Sequence, residues 1–153
     1  MSVRAGIGYD AHRFAAGRRL VLGGVEVPHE RGLEGHSDAD VLTHAVIDAV
    51  LGAAGRGDLG TLFPADEERW RDADSLDLLT VALGNVPGRV LNVDATLICE
   101  EPRIAPHRAE MERNLSVALS ASVSVKATTS EAMGAIGRGE GIACFAVALV
   151  ELD

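Results

Sequence analysis

The chain is short of aromatic residues, of basic residues and of cysteine. Aromatic side chains make up 3% of its 153 residues, so the core must be built from Val, Leu, Ile and Ala. Fourteen Lys and Arg against 23 Asp and Glu leave a net charge of −9. That balance argues against a general nucleic-acid or anionic-membrane binder, since either needs a basic face. It does not exclude a phosphorylated substrate, because metal ions and backbone amides supply local positive potential in an acidic protein. Cys99 and Cys144 form no CxxC pair and lie in apolar runs, where buried, reduced thiols are expected. No stretch approaches the roughly 20 apolar residues of a membrane span, and MSVRAG lacks the apolar segment of a secretory signal. The expectation is a soluble chain of a reducing compartment. For a bacterial-type chain without a transit peptide, that means the cytoplasm.

Apolar residues make up 47%, and the length suits one domain spanning residues 1–153. Residues 3–9, 90–98, 123–128 and 141–152 read as strands, and residues 19–27 as a hairpin turning at Gly23-Gly24. Residues 37–54, 76–83 and 106–119 read as helices. The first is expected to be capped by Ser37 or Asp38 and ended by Gly55. This order suggests an α+β fold, a mixed β-sheet covered by helices on one face.

Four constellations carry chemistry. Asp10 and His12 form an Asp-x-His pair whose side chains share one face of an extended segment. His44, on the first helix, completes three protein ligands of the kind that hold zinc and leave a fourth position open. His36 and Ser37 are expected at that helix's N-terminus, where free N–H groups favour an anion, and Asp40 or Asp48 could orient the His44 ring. Asp58, in GDLGTLFP, can accept hydrogen bonds from hydroxyl groups. Thr128, Thr129, Ser130 and Glu131 offer hydroxyls and a carboxylate to phosphate oxygens and a hard cation. Arg138 and Glu140 in GRGEG can pair with each other or with an anion.

Taken together, YDAHRF (9–14), GHSDADVLTHAVIDAVLGAAGRGDLGTLFP (35–64), EPRIAPH (101–107) and KATTSEAMGAIGRGEGIAC (126–144) closely resemble the 2-C-methyl-D-erythritol 2,4-cyclodiphosphate synthases of the non-mevalonate isoprenoid pathway. The resemblance covers nearly the whole chain. It implies a lyase that cyclises a cytidine diphosphate-linked substrate and releases CMP. It implies Asp10, His12 and His44 as ligands of one Zn²⁺ per subunit, and Glu131 as ligand of a second cation, Mg²⁺ or Mn²⁺. His36 and Thr129 would stabilise the transition state, and Asp58 and Gly60 would hold substrate hydroxyls. Ser37, Thr128, Ser130 and Arg138 would contact the substrate. Cys99, Glu100, Arg103, Ile104 and Ala105 would form the cytosine pocket, largely through backbone. It further implies a homotrimer, its sheets packed around a threefold axis and its active sites between subunits. Tyr9 and Ala135 would lie at an axial apolar cavity near Arg138.

Overall fold

Strand β1 runs Ser2–Ala15, well beyond the expected end at Tyr9. It continues through Asp10 and His12 because β7 (Gly141–Leu152) pairs with it antiparallel all the way, from Ser2↔Leu152 to Arg13↔Gly141. The computed structural model describes residues 1–153. Between these strands come β2 (Leu20–Leu22), β3 (Val25–Val27), β4 (Gly32–Leu33), α1 (Val41–Ala54), α2 (Leu59–Leu62), α3 (Ser75–Leu83), β5 (Gly88–Ile98), α4 (Arg108–Leu119), β6 (Ser122–Thr128) and α5 (Gly134–Gly137). The main sheet has the order β4-β1-β7-β5-β6, with β5 and β6 parallel and the other pairs antiparallel. The expected α+β architecture is what forms.

Helix α1 lies directly on β1 and β7. Two glycines permit this. A Cβ on Gly6 would sit 2.0 Å from the Ala49 carbonyl oxygen, and one on Gly8 1.9 Å from that of Ala45. Most of α1 is buried, which suits its Ala- and Val-rich sequence. Helix α4 packs on β6, and α3 fits between α1 and α4, with Leu79, Met111 and Leu115 fully buried. Alternation along β1 sends Gly6, Gly8, Asp10, His12 and Phe14 towards the helices and Val3, Ile7 and Tyr9 outward. The outer face, with Phe145 and Val147 of β7, is apolar and exposed, and the Tyr9 and Phe145 rings meet tilted, with centroids 4.9 Å apart. No helix is long and apolar enough to cross a membrane.

The first helix starts later than expected, at Val41 rather than Ser37. Ala39 has φ 58° and Asp40 is extended, so the chain cannot be helical there. Asp40, not Ser37 or Asp38, is the cap. Its carboxylate accepts the Thr43 N–H at 3.0 Å and the Thr43 hydroxyl at 2.7 Å. It also accepts the Gly23 and Gly24 N–H groups, each at 2.9 Å, tying the β2–β3 turn to the helix. Burial, with Asp38 nearby, raises the Asp40 carboxyl above its ordinary range, and these backbone bonds oppose that rise. The other end follows expectation: Gly55 takes φ 67°, and the Arg56 N–H bonds back to the Leu51 carbonyl at 2.9 Å.

Candidate active site

Extended backbone places Asp10 and His12 on the helix-facing side of β1, and α1 brings His44 down onto them. Asp10 Oδ2 lies 2.8 Å from His12 Nε2 and 3.1 Å from His44 Nδ1, and the two ring nitrogens are 3.2 Å apart. Tetrahedral zinc with ligands at about 2.0–2.1 Å spaces them by roughly 3.3 Å, so the triangle fits such an ion. Hydrogen bonds on the far side of each ring decide which nitrogens are bare. His12 Nδ1 lies 2.8 Å from the Glu34 carbonyl, so it carries the proton and Nε2 faces the cluster as a lone pair. His44 Nε2 lies 2.8 Å from the Ser75 hydroxyl, which itself donates to Asp38 Oδ1. Ser75 therefore accepts from His44, and Nδ1 is left bare. One carboxylate oxygen and two lone pairs converge, and a proton can bridge only two of them, whereas a cation bonds all three.

Within the cluster the three side chains also set one another's charge. Burial alone would raise the Asp10 carboxyl, but hydrogen bonds and charge from His12 and His44 outweigh it and hold the group well below the usual carboxylate range. Burial works against protonated His12, yet its hydrogen bond and charge interaction with Asp10 raise the imidazole overall.

The expectation that Asp40 or Asp48 orients His44 is corrected. Asp40 is committed to the helix cap, and Asp48 Oδ1 accepts the Leu59 N–H at 2.6 Å, pinning α2 to α1. The orienting group is Ser75, at the first turn of α3 and fully buried. Asp38 holds it by accepting both its hydroxyl and, at 2.9 Å, its N–H. No sequence signal marked this pair, because Asp38 and Ser75 are 37 residues apart. His36 and Ser37 are not at a helix terminus either. They sit on the loop before α1, held by Arg18, which donates to the carbonyls of Gly35 (2.9 Å) and Ser37 (2.7 Å). At that terminus the Asp40 carboxylate takes the Thr43 N–H.

His36, Ser37 and Gly60 line a cavity of about 190 Å³ that opens onto the three ligands. Phe63 and Trp70, rings edge to face at 4.8 Å, form its apolar wall and were not singled out by the sequence reading. Asp58 caps α2, taking the Thr61 N–H (2.9 Å) and hydroxyl (2.8 Å) on the same oxygen, which leaves the other free.

A second cavity, about 210 Å³, gathers Cys99, Glu100, Arg103, Ile104, Ala105, Thr128 and Thr129. The parallel pairing of β5 and β6 makes it, because both strands end at the same edge. Ser130 and Glu131 follow directly in the turn after β6. Arg138 lies outside this cavity, paired with Glu140 at 2.7 Å. The residues Asp10, Cys144, Leu97 and Ala127 stand in register across β1, β7, β5 and β6. The second cavity lies at the ends of both β5 and β6, so two to three inter-strand steps, about 10–14 Å, separate it from the ligand cluster.

The model of the YgbB family matches residues 3–151. A 2-C-methyl-D-erythritol 2,4-cyclodiphosphate synthase of Rubrobacter xylanophilus is 58% identical over 97% of this chain and 94% of its own length. A solved 2C-methyl-D-erythritol-2,4-cyclodiphosphate synthase with CDP bound is 33% identical, with a TM-score of 0.88 over 97% of this chain and 100% of that one. The bifunctional IspDF of Campylobacter jejuni superposes with a TM-score of 0.93 at 36% identity, this chain spanning 43% of its length. Matched over nearly its whole length by the family model and by these relatives, this chain belongs to the YgbB family, the family of the 2-C-methyl-D-erythritol 2,4-cyclodiphosphate synthases.

Proposed function

We propose that this chain converts 4-diphosphocytidyl-2-C-methyl-D-erythritol 2-phosphate to 2-C-methyl-D-erythritol 2,4-cyclodiphosphate and CMP, in isoprenoid precursor synthesis. An oxygen of the 2-phosphate bonds to the β-phosphorus. The bond from that phosphorus to the bridging oxygen breaks, and CMP leaves with the electron pair. The observation that carries the reading is the three-ligand cluster at the mouth of a cavity, with bare donor atoms facing one another. The relatives' names supply the substrate class.

Asp10, His12 and His44 would hold zinc, and Glu131 the second cation, Mg²⁺ or Mn²⁺. The ions would supply positive charge to the crowded phosphates. The chain's own task is to fold one flexible molecule so that attacker and target meet in line, which is worth about 7–11 kcal/mol in favourable cases. His36 lies beside the cluster to orient a phosphate. Thr129 Oγ1 accepts the Glu131 N–H at 3.2 Å, so its own hydroxyl proton is available to a phosphate oxygen. Ser37, Asp58, Gly60, Thr128 and Ser130 are assigned to substrate contacts, and the segment from Cys99 to Ala105 to the base. A phosphate nucleophile is already ionised near neutral pH, so no general base is required.

We further infer a homotrimer with each site shared between subunits. One substrate must reach both the ligand cluster and the nucleotide cavity, and within one chain strand β7 lies between them. The exposed apolar face carrying Val3, Ile7 and Phe145 offers the surface for such packing. The buried free thiols suit a cytoplasmic location.

Phosphorus NMR of the zinc- and magnesium-loaded protein with the cytidyl diphosphate substrate tests the reading. CMP with two coupled cyclic-diphosphate signals is the expected result. CMP with a linear bisphosphate would make the chain a hydrolase instead, and no turnover by zinc-loaded protein would overturn the assignment.

A further inference from the structure

The turn after β6 is built against the preferences of its residues. Glu131 has φ 52° and Ala132 φ 60°, and the Met133 N–H closes the turn on the Ser130 carbonyl at 2.9 Å. Positive φ at both central positions is the signature of a type I′ turn, which ordinarily takes Gly, Asn or Asp. Placing Glu-Ala there is strained unless the surroundings enforce it. Gly137 closes over the turn from behind, since a Cβ on it would come within 2.2 Å of the Ala132 carbonyl carbon. A substituent there would push the turn apart.

What enforces it comes from the neighbouring strand. Glu100 stands just past the end of β5, and parallel pairing puts it beside the end of β6, where the Cys99 N–H donates to the Thr128 carbonyl at 3.1 Å. Its carboxylate accepts the Ser130 N–H on one oxygen at 3.0 Å and the Ala132 N–H on the other at 2.8 Å. The N–H between them, that of Glu131, goes to Thr129 Oγ1. All four amides of the turn are thus held, two by a single charged group on the adjacent segment.

We propose that Glu100 is a positioning residue. Its carboxylate locks the 130–133 turn and thereby fixes where the Thr129 hydroxyl and the Glu131 carboxylate stand relative to the nucleotide cavity. The inference deepens the proposed function and rests on it for the roles of Thr129 and Glu131. A ligand that filled the nucleotide cavity would meet the base segment and the phosphate-binding turn already joined by one side chain. The Glu100 side chain acts through the turn, because both of its carboxylate oxygens are engaged with backbone, while its main chain stays part of the base segment.

Glu100→Gln in the full-length chain keeps shape and volume but offers one acceptor where two are needed. Two readouts separate this inference from the proposed function. Amide hydrogen exchange reports the lock itself and needs no turnover: in Glu100→Gln the Ser130–Ala132 amides should exchange at least about tenfold faster, with the β5 and β6 ladder amides unchanged. Steady-state kinetics reports its consequence. In an active wild type, kcat should fall about 10–100-fold and half-saturating Mg²⁺ should rise, with KM for the nucleotide substrate, zinc content and melting temperature little altered. Wild-type exchange at those amides would overturn the proposal. So would a variant with unchanged kcat and a raised KM, which would make Glu100 a direct nucleotide ligand. If the wild type is inactive, the proposed function fails while the exchange result still decides the lock.

Discussion

Replacing Ser75 by Ala should weaken zinc binding about 10–100-fold, the usual cost of losing a partner behind a metal ligand. That is about 1.4–2.7 kcal/mol. The structure shows where it comes from. The Ser75 hydroxyl accepts from His44 Nε2 at 2.8 Å and donates to the Asp38 carboxylate, so one atom sets the ring's tautomer and its angle. Without it, His44 Nε2 keeps only the Ser37 hydroxyl, at 3.2 Å, in a site where His44 is 3% exposed. A neutral hydrogen bond accounts for about 1 kcal/mol of the loss. The remainder comes from the tautomer with Nδ1 protonated, which is wrong for a ligand and no longer disfavoured. Ser75→Ala removes a single oxygen and keeps a good helix former at the start of α3, so the fold should survive. Chelator competition at fixed pH gives the dissociation constant, and the visible spectrum of the Co²⁺-loaded protein reports the ligand geometry. Asp38→Asn should move both readouts in the same direction by removing the charge that polarises Ser75. An unchanged zinc affinity and Co²⁺ spectrum in Ser75→Ala, at wild-type melting temperature, would refute the reasoning.

Gly8→Ala should cost at least about 3 kcal/mol, the upper end for overpacking, because the new Cβ meets helix backbone 1.9 Å away rather than a flexible side chain. At about 2–4 °C per kcal/mol, thermal melts should show a drop of roughly 6–12 °C or more. Both thiols should resist a disulfide reagent at pH 8 until the protein is unfolded. Burial, with Glu100 adding, pushes Cys99 up to about 11, and burial pushes Cys144 higher still. The Thr61 side chain and N–H hold the Asp58 carboxyl below its ordinary range. A lowered folded value stabilises above the ordinary carboxylate range and is lost as pH falls through it, so protection of the Thr61 amide should decline below about pH 4. An unchanged protection factor down to pH 2 would contradict this cap.

Much of the site was legible in the sequence because it depends on short periodicities. Asp-x-His shares a strand face at a period of two, and residues 141–152 alternate as a strand and form one with those bounds. The α1 stretch is helical by composition and closed by Gly55. The ligand triad and the second cavity needed only these local rules and the resemblance of the motifs. The start of α1 was not legible, because several candidate caps stand in HSDAD and only Asp40 meets the Gly23 and Gly24 amides across the fold. The same limit hid Ser75 behind His44 and Glu100 beneath the 130–133 turn. Each acts through a hydrogen bond between segments about 30 residues apart, and no local spacing encodes such a bond. The sequence by itself determined which residues can bind a metal and where most of the longer strands and helices lie, since those follow from side-chain chemistry and near-neighbour sterics. Only the tertiary structure decided which nitrogen of each histidine is bare, and that β7 separates the strand carrying Asp10 and His12 from the strands that end at the second cavity, because strand order and long-range hydrogen bonds exist only once the chain has folded.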